Sequence, residues 1–225
     1  MSQQASIGSV HQDGPLGWWR VYLGHRYAVL FYSLILTLVV APILKAIGLH
    51  ANVMQLFLGL NLMAASVPLE SRKGRWVLPA IVLVAIVLRI VSLQAGHAGL
   101  STLSLWLWTA IGLYAVFIAL RFALRSLVIT SEHLYAALSA YLLAGVFMGV
   151  LYWSLDQVWP NSIIVNGPGA SEPFLPREGI YFSFITLATV GYGDMVPGNG
   201  VVRNLAIVEA IAGQFYLAVM IARLM

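Results

Sequence analysis

A run of six residues near the carboxyl end, Thr-Val-Gly-Tyr-Gly-Asp at positions 189–194, has the composition needed to bind a dehydrated cation. Backbone carbonyls can replace the hydration shell of an ion only if successive residues turn them toward one axis. Gly191 and Gly193 permit the positive φ values that such alternating backbone handedness demands. The Thr189 hydroxyl can add an oxygen at the inner end, and Asp194 places a carboxylate at the outer mouth, where it concentrates cations. We therefore predict ion ligands at Thr189, Val190, Gly191, Tyr192 and Gly193.

The same residues have a simpler explanation, because Gly-Tyr-Gly-Asp is also a common composition for a tight turn. The surrounding sequence favours the ion site. A short apolar segment, about Arg177–Ala188, precedes the run, and at about 12 residues it cannot cross a ~30 Å hydrocarbon core. It lies between two longer apolar runs, as a re-entrant segment would.

The composition places the whole chain in a membrane. The 225 residues are 60% hydrophobic and only 9% charged, with a mean hydropathy of +0.88, whereas soluble domains carry about a quarter charged residues. Most of the outer surface must therefore face lipid. The net charge of +4 is scattered in short clusters, which predicts membrane lipids as partners and no nucleic acid. There is no Cys, and the five His show no paired spacing, so we assign no resident metal site.

Six apolar runs, each roughly 17–24 residues, are long enough to cross the membrane as helices. The predicted fold is an all-α membrane protein with six transmembrane helices and a re-entrant helix between the last two. We divide it into a tail with an interfacial helix (1–26), a four-helix membrane domain (27–125) and a pore domain (126–225). The six runs are Tyr27–Leu49, Val53–Leu69, Trp76–Leu93, Thr102–Leu124, His133–Leu155 and Val201–Leu224.

The basic residues predict the orientation, since cytoplasmic loops carry an excess of Lys and Arg. With the amino terminus inside, the outer loops hold only Arg177 and Arg203, and both termini are cytoplasmic. We expect the inner (plasma) membrane of a bacterium. The cytoplasmic ends then hold Arg20, Arg26, Arg72, Lys73, Arg75, Arg121, Arg125 and Arg223.

Two loops frame the fifth run. The long polar loop Leu155–Glu178, which we call the turret, is interrupted by prolines that predict no regular structure. Thr130-Ser131-Glu132 predicts a helix start, where a hydroxyl and a carboxylate cap free amides.

In this context residues 189–194 resemble the selectivity filter of potassium channels, which reads Thr-Val-Gly-Tyr-Gly and is usually followed by Asp. The match is complete, and the order of spanning helix, turret, short pore helix, filter and spanning helix is the same. The resemblance implies potassium ions as ligands at Thr189–Gly193, with Val190 and Tyr192 turned outward to wedge the filter against the pore helix. Because the chain has one filter, the resemblance also implies a homotetramer.

Two residues of the last run could serve gating or bracing. In the potassium channels a glycine at the position of Gly213 acts as a hinge, although a glycine here can equally permit close helix packing. Glu209 is a carboxylate at membrane depth, and such residues are functional candidates. It could brace the pore helix from behind the filter, or it could be neutral or pair locally with a hydroxyl.

Six spans with the pore between the last two resemble the plan of voltage-gated channels, but the first four runs lack the charges of a voltage sensor. The fourth run has no basic residue before Arg121, whereas a sensor helix carries Arg or Lys at every third position. We expect Lys45 and Arg89 to extend to the outer interface, and Asn61 and Gln55 to form interhelical hydrogen bonds. The resemblance is strong over Ser131–Met225 and only architectural over Tyr27–Leu124.

The sequence thus predicts passive, selective potassium flow that is not steeply voltage-gated, by a protein that is not an enzyme and uses no cofactor. The chain ends near Arg223, so we expect none of the nucleotide-, calcium- or NAD-binding domains that often follow the inner helix of such channels. The alternatives are a weakly selective cation channel, and a non-conducting receptor or scaffold that retains the pore fold. An active transporter is a third, although transporters with a related loop need four such loops in one chain.

Overall fold

The computed structural model describes residues 25–46, 59, 61–62, 77–95, 98–125, 130–167 and 173–224. The interfacial segment predicted before residue 25 and most of the second run, including Gln55, lie outside the described residues, as do the side chains of Lys45 and Arg89. The delimited elements are α1 (Arg26–Ala46), α2 (Val77–Ala95), α3 (Ala98–Arg125), α4 (Ser131–Val158), β1 (Ile163–Val165), α5 (Pro176–Leu187), β2 (Met195–Pro197) and α6 (Gly200–Leu224).

Within this described part, three helices are both long and apolar enough to cross a membrane. They are Thr102–Arg125 in α3, Ser131–Val158 in α4 and Gly200–Arg223 in α6. Helix α1 contributes a shorter apolar stretch, Arg26–Val40. The chain is therefore a mostly helical membrane protein, as its composition predicts.

Helix α4 is the centre of the packing and contacts α1, α3, α5 and α6. Its fully buried Leu143 and Phe147 belong to one apolar cluster with Trp108 of α3 and Leu34 of α1. Asn61, buried to 1% exposure, donates to the Thr37 hydroxyl of α1 at 2.8 Å and accepts from Ser33. The predicted interhelical hydrogen bond of Asn61 is thereby confirmed, and it leaves the amide paired in an apolar setting.

The predicted helix start at residues 130–132 is confirmed, but its carboxylate serves another helix. Thr130 is the N-cap of α4, and its hydroxyl lies 2.7 Å from Nδ1 of His133. Glu132 accepts a hydrogen bond from the backbone N–H of Tyr27 at 3.1 Å, so it caps α1 and not its own helix. A carboxylate near the free amides of a helix start is favourable whichever chain segment supplies it.

The short helix α5 lies directly against the backbone of α4. A Cβ added at Gly149 would overlap the backbone of Ile180, and one added at Gly179 would overlap the carbonyl of Gly149. Only glycines allow this approach. The carboxylate of Glu178 accepts from the Leu175 N–H at 3.0 Å and closes the start of the helix. The predicted 12-residue segment is therefore a helix of 12 residues, Pro176–Leu187.

The prediction that the turret lacks regular structure was wrong at residues 163–165. These residues form β1, which pairs antiparallel with β2, the strand that follows residues 189–194. The turret prolines all lie outside this segment, so its amides remain free to pair. Ile-Ile-Val is also a β-branched sequence that suits a strand.

Candidate ion-binding site

Residues 189–194, which we call the filter strand, are tied to the carboxyl end of α5. The backbone N–H groups of Val190 and Gly191 both donate to the Ile185 carbonyl, at 2.8 and 3.2 Å. In a trans peptide the carbonyl points opposite to the N–H of the next residue. The carbonyls of Thr189 and Val190 therefore both face away from α5, on the same side of the filter strand.

The backbone handedness of the filter strand alternates. Thr189, Gly191 and Gly193 have positive φ values of 55°, 54° and 80°, and Val190 and Tyr192 between them do not. The positive φ predicted for the two glycines is confirmed. This alternation turns successive carbonyls toward one side, whereas an ordinary strand alternates them between two sides.

The positive φ of Thr189 was not predicted, because a β-branched residue rarely adopts it. Such a conformation costs on the order of 1–3 kcal/mol and persists only where neighbouring contacts impose it. Here the Thr189 N–H donates to the Thr186 carbonyl at 2.9 Å, and its hydroxyl accepts from the Gln214 amide at 3.0 Å. The only sequence signal for it was the spacing of Gly191 and Gly193, which are two residues apart. The same spacing extended backwards reaches Thr189.

The expected wedge of Val190 and Tyr192 between the filter strand and the pore helix stays a prediction, because one chain leaves both side chains exposed. Their side chains are 50% and 71% exposed. The filter strand thus presents carbonyl oxygens and two large apolar side chains, and one chain leaves both incompletely surrounded. Carbonyl and hydroxyl oxygens are suited to alkali cations, which exchange water for oxygens of comparable number and field.

The carboxylate of Asp194 lies at the outer end of the filter strand, and both of its oxygens are hydrogen-bonded. Oδ2 accepts from the Tyr181 hydroxyl of α5 at 2.8 Å, and Oδ1 accepts from the Met195 N–H at 3.0 Å. The hydrogen bond to Asp194 raises the pKa of the Tyr181 phenol. Sequence reasoning did not identify Tyr181, since nothing in its spacing marks it.

Glu209 lies where three helices meet. It is 3% exposed and accepts from the Tyr152 hydroxyl of α4 at 2.7 Å and from the Ser183 hydroxyl of α5 at 2.5 Å. The contact with α5 is the one that the bracing interpretation required. Tyr152 and Ser183 were missed from the sequence, because they are 57 and 26 residues away along the chain.

Gly213 allows α6 to approach the end of α5. A Cβ at this buried position would overlap the carbonyl oxygen of Leu187. Of the two interpretations of Gly213, this contact supports close packing, and the hinge stays a prediction. The neighbouring Gln214 holds Thr189, so α6 contacts both the last turn of α5 and the inner end of the filter strand.

Comparison with known proteins identifies the family of this chain. A model of a family described as "Ion channel" matches residues 102–225, more than half of the chain. The chain therefore belongs to this family of ion channels and is a membrane protein. The match begins within α3 and includes the filter strand.

Two curated relatives are similar to parts of the chain. One is the mouse (Mus musculus) "Potassium channel, subfamily K, member 16", 43% identical over 53 residues, which are 20% of this chain and 18% of the relative. The other is "Protein LctB" of Bacillus caldotenax, 32% identical over 95 residues, which are 41% of this chain and 69% of the relative. The chain thus spans less than a fifth of the mouse protein. No solved structure matches significantly.

Proposed function

We propose that this chain is one subunit of a homotetrameric, potassium-selective channel that passes potassium ions passively across a cell membrane. It acts without a cofactor and not as an enzyme. The observations that carry the proposal are the alternating φ values of the filter strand and the Thr189 and Val190 carbonyls, which both face away from α5. A row of such carbonyls can compensate a potassium ion for its lost hydration shell.

The potassium assignment is supported by the complete Thr-Val-Gly-Tyr-Gly-Asp run, with ions at Thr189, Val190, Gly191, Tyr192 and Gly193 and with Asp194 at the outer mouth. One matched relative is named as a potassium channel. A weakly selective channel and a non-conducting scaffold are the alternatives. The intact Gly-Tyr-Gly run, with both glycines in the left-handed region that glycine occupies at little cost, speaks against the weakly selective channel. A scaffold would retain the same backbone, so only a current measurement separates it from a channel.

The tetramer is supported by two surfaces that one chain leaves exposed, the filter strand and one face of α6. A single filter strand supplies one side of each ring of carbonyls, so several chains must surround the ion. Eight large apolar side chains of α6 are 41–67% exposed, which suits contact with lipid and with neighbouring subunits. These side chains are Val201, Ile207, Val208, Ile211, Phe215, Leu217, Val219 and Ile221.

The proposed topology has six spans with both termini cytoplasmic, in a bacterial inner membrane. Arg26 at the start of α1 lies over the ring of Phe122, at 5.2 Å, near the end of α3 that carries Arg121 and Arg125. Arg203 lies by contrast beside β2, where Nε donates to the Pro197 carbonyl at 3.3 Å. The larger number of basic residues at the first end favours that end as cytoplasmic.

Reconstitution into planar bilayers tests the proposed selectivity. With potassium on one side and sodium on the other, we expect a reversal potential displaced strongly in the direction of potassium selectivity. Native mass spectrometry of the same preparation should show a tetramer. A reversal potential near zero would support the weakly selective alternative, and a tetramer without current would support the scaffold.

We further expect opening to depend at most weakly on voltage. Helix α3 carries basic residues only at Arg121 and Arg125, both near its end. One charge crossing the whole field gains ~2.3 kcal/mol per 100 mV, and a sensor moves about three to four such charges per subunit. Voltage steps in symmetric potassium should give a shallow conductance–voltage curve. A steep sigmoidal curve would require mobile charges elsewhere in the chain.

A further inference from the structure

The turret reaches the outer end of the filter strand through one residue, Asn166. Strand β1 pairs with β2 in a register that joins Ile163 to Pro197 and Val165 to Met195. The next pair in this register is Asn166 with Asp194, and the backbone N–H of Asn166 donates to the Asp194 carbonyl at 2.7 Å. The ladder therefore continues beyond the strands to the last residue of the filter strand.

The side chain of Asn166 makes a second bond one residue further in. Its Nδ2 donates to the Gly193 carbonyl at 3.2 Å. Gly193 has φ +80°, and nothing lies within 4 Å of the place where its Cβ would be. Because glycine has no Cβ to restrict its backbone, the hydrogen bond from Asn166 can decide where this carbonyl points.

Strand β1 is anchored firmly enough to impose that direction. Ile163 is 4% exposed and packs with Tyr152 of α4, Phe182 of α5 and Val202 of α6. The preceding Ser162 accepts from the Asn199 amide at 2.9 Å, and its N–H donates to Asp156 at 2.9 Å. Asn166 thus follows a strand that is held in place by α4, α5 and α6, the three helices of the pore region.

We propose that Asn166 is a positioning residue for the outermost cation site. Its amide occupies one lone pair of the Gly193 oxygen and orients this carbonyl, while the second lone pair remains for the ion. The backbone bond to Asp194 holds the adjacent peptide. This role depends on the proposed potassium channel function, because it requires an ion at the outer end of the carbonyl row.

Block by Ba²⁺ measures that site directly. A Ba²⁺ ion trapped in the filter leaves outward only when the outermost site is empty, so external potassium slows its exit in proportion to the occupancy of that site. We would compare Asn166→Ala and Asn166→Asp with the wild type. Both variants remove the side-chain donor and keep the backbone N–H. Only the second adds a charge.

Asn166→Ala should raise the external potassium concentration that half-maximally slows Ba²⁺ exit by about fivefold to tenfold, the free energy of about one hydrogen bond shared among the four subunits. In Asn166→Asp the added carboxylate attracts cations, so the shift should be smaller. The dependence of inward Ba²⁺ exit on internal potassium should stay unchanged. Ile164→Ala is the matched control, since Ile164 lies on the same strand, is 44% exposed and pairs with Val196, away from the filter strand. It should behave as the wild type.

The outcomes separate the two proposals. If the wild type carries no potassium current and traps no Ba²⁺, the channel function itself fails. If the wild type does both but Asn166→Ala matches Ile164→Ala, or binds external potassium more tightly, the positioning role is refuted and the channel function stands. A shift in Asn166→Asp alone would assign the effect to charge and would also refute the role. If a variant does not conduct, the stabilisation of its tetramer by potassium is measured instead. Stabilisation equal to that of the wild type would refute the positioning role.

Discussion

Replacing Gly191 or Gly193 with alanine should abolish selective potassium current while leaving membrane insertion intact. Both glycines have positive φ, at 54° and 80°, where a Cβ is penalised by roughly 1–2 kcal/mol. In the proposed tetramer this penalty recurs in each of four subunits, so the filter strands should leave the alternating conformation. Insertion depends on the apolar helices, which neither change touches. The measurements are membrane extraction and the reversal potential in bilayers.

The control for this prediction is Gly200→Ala. Gly200 begins α6, nothing lies within 4 Å of the place where its Cβ would be, and its φ is not in the positive range. This variant should conduct as the wild type does. A sharper test places D-alanine at Gly191 by chemical synthesis, because a D-residue adds the same methyl group but favours positive φ. Current restored by D-alanine, and not by L-alanine, would assign the loss to backbone handedness.

Normal selectivity in Gly191→Ala or Gly193→Ala would contradict the site as described. The filter strand would then coordinate ions without the alternation of φ, and the row of carbonyls facing one side would not be its functional feature.

Removing the carboxylate of Glu209 should destabilise the assembly and impair selective conduction. In Glu209→Leu the hydroxyls of Tyr152 and Ser183 lose their common acceptor in a buried setting. Each buried polar group left without a partner costs about 1–3 kcal/mol. Because Ser183 lies on α5, the loss also loosens the helix that holds the filter strand. We expect a clearly lower temperature of tetramer dissociation in detergent and a reduced preference for potassium over sodium.

Two further variants make this prediction specific. Asn204→Leu introduces the same side chain at an exposed position of α6 and should have little effect on the dissociation temperature. Combining Glu209→Leu with Tyr152→Phe and Ser183→Ala removes the unpaired hydroxyls, and replacing all partners by apolar groups can be nearly neutral. The triple variant should therefore be more stable than Glu209→Leu alone. If it is less stable, the three groups contribute independently, and the carboxylate is not their shared acceptor.

Much of the architecture could be predicted because it depends on local composition. The lengths of the apolar runs predicted helices at α1 to α6 with boundaries that differ by a few residues. The shortness of the segment before the filter strand predicted α5 almost to the residue. The start of α4 could also be predicted, because Thr130 is a typical N-cap residue. The turret strand was not predicted because the surrounding prolines indicate irregular structure and because its pairing partner, Met195–Pro197, is distant along the chain.

The candidate site divides in the same way. The backbone of the filter strand follows largely from residue types, since glycine adopts positive φ at little cost. Its carbonyl oxygens are of a kind that suits cations. The groups that surround the filter strand could not be predicted from residue types. Tyr181 on Asp194, Gln214 on Thr189 and Asn166 on Gly193 are single hydrogen bonds between segments 13–27 residues apart, with no periodic pattern to announce them.

The sequence by itself determined that this protein is a membrane protein, where its filter strand lies and why two glycines are required there. These properties depend on the side chains and backbone of the residues concerned, and any fold would have to respect them. Only the tertiary structure decided that Glu209 joins α4 to α5, that Glu132 caps α1 and that Gly213 rests on the end of α5. A hydrogen bond or a close contact acts over about 3 Å. Which groups come within that distance is set by how the helices cross, a property of the whole packed chain and not of any one segment.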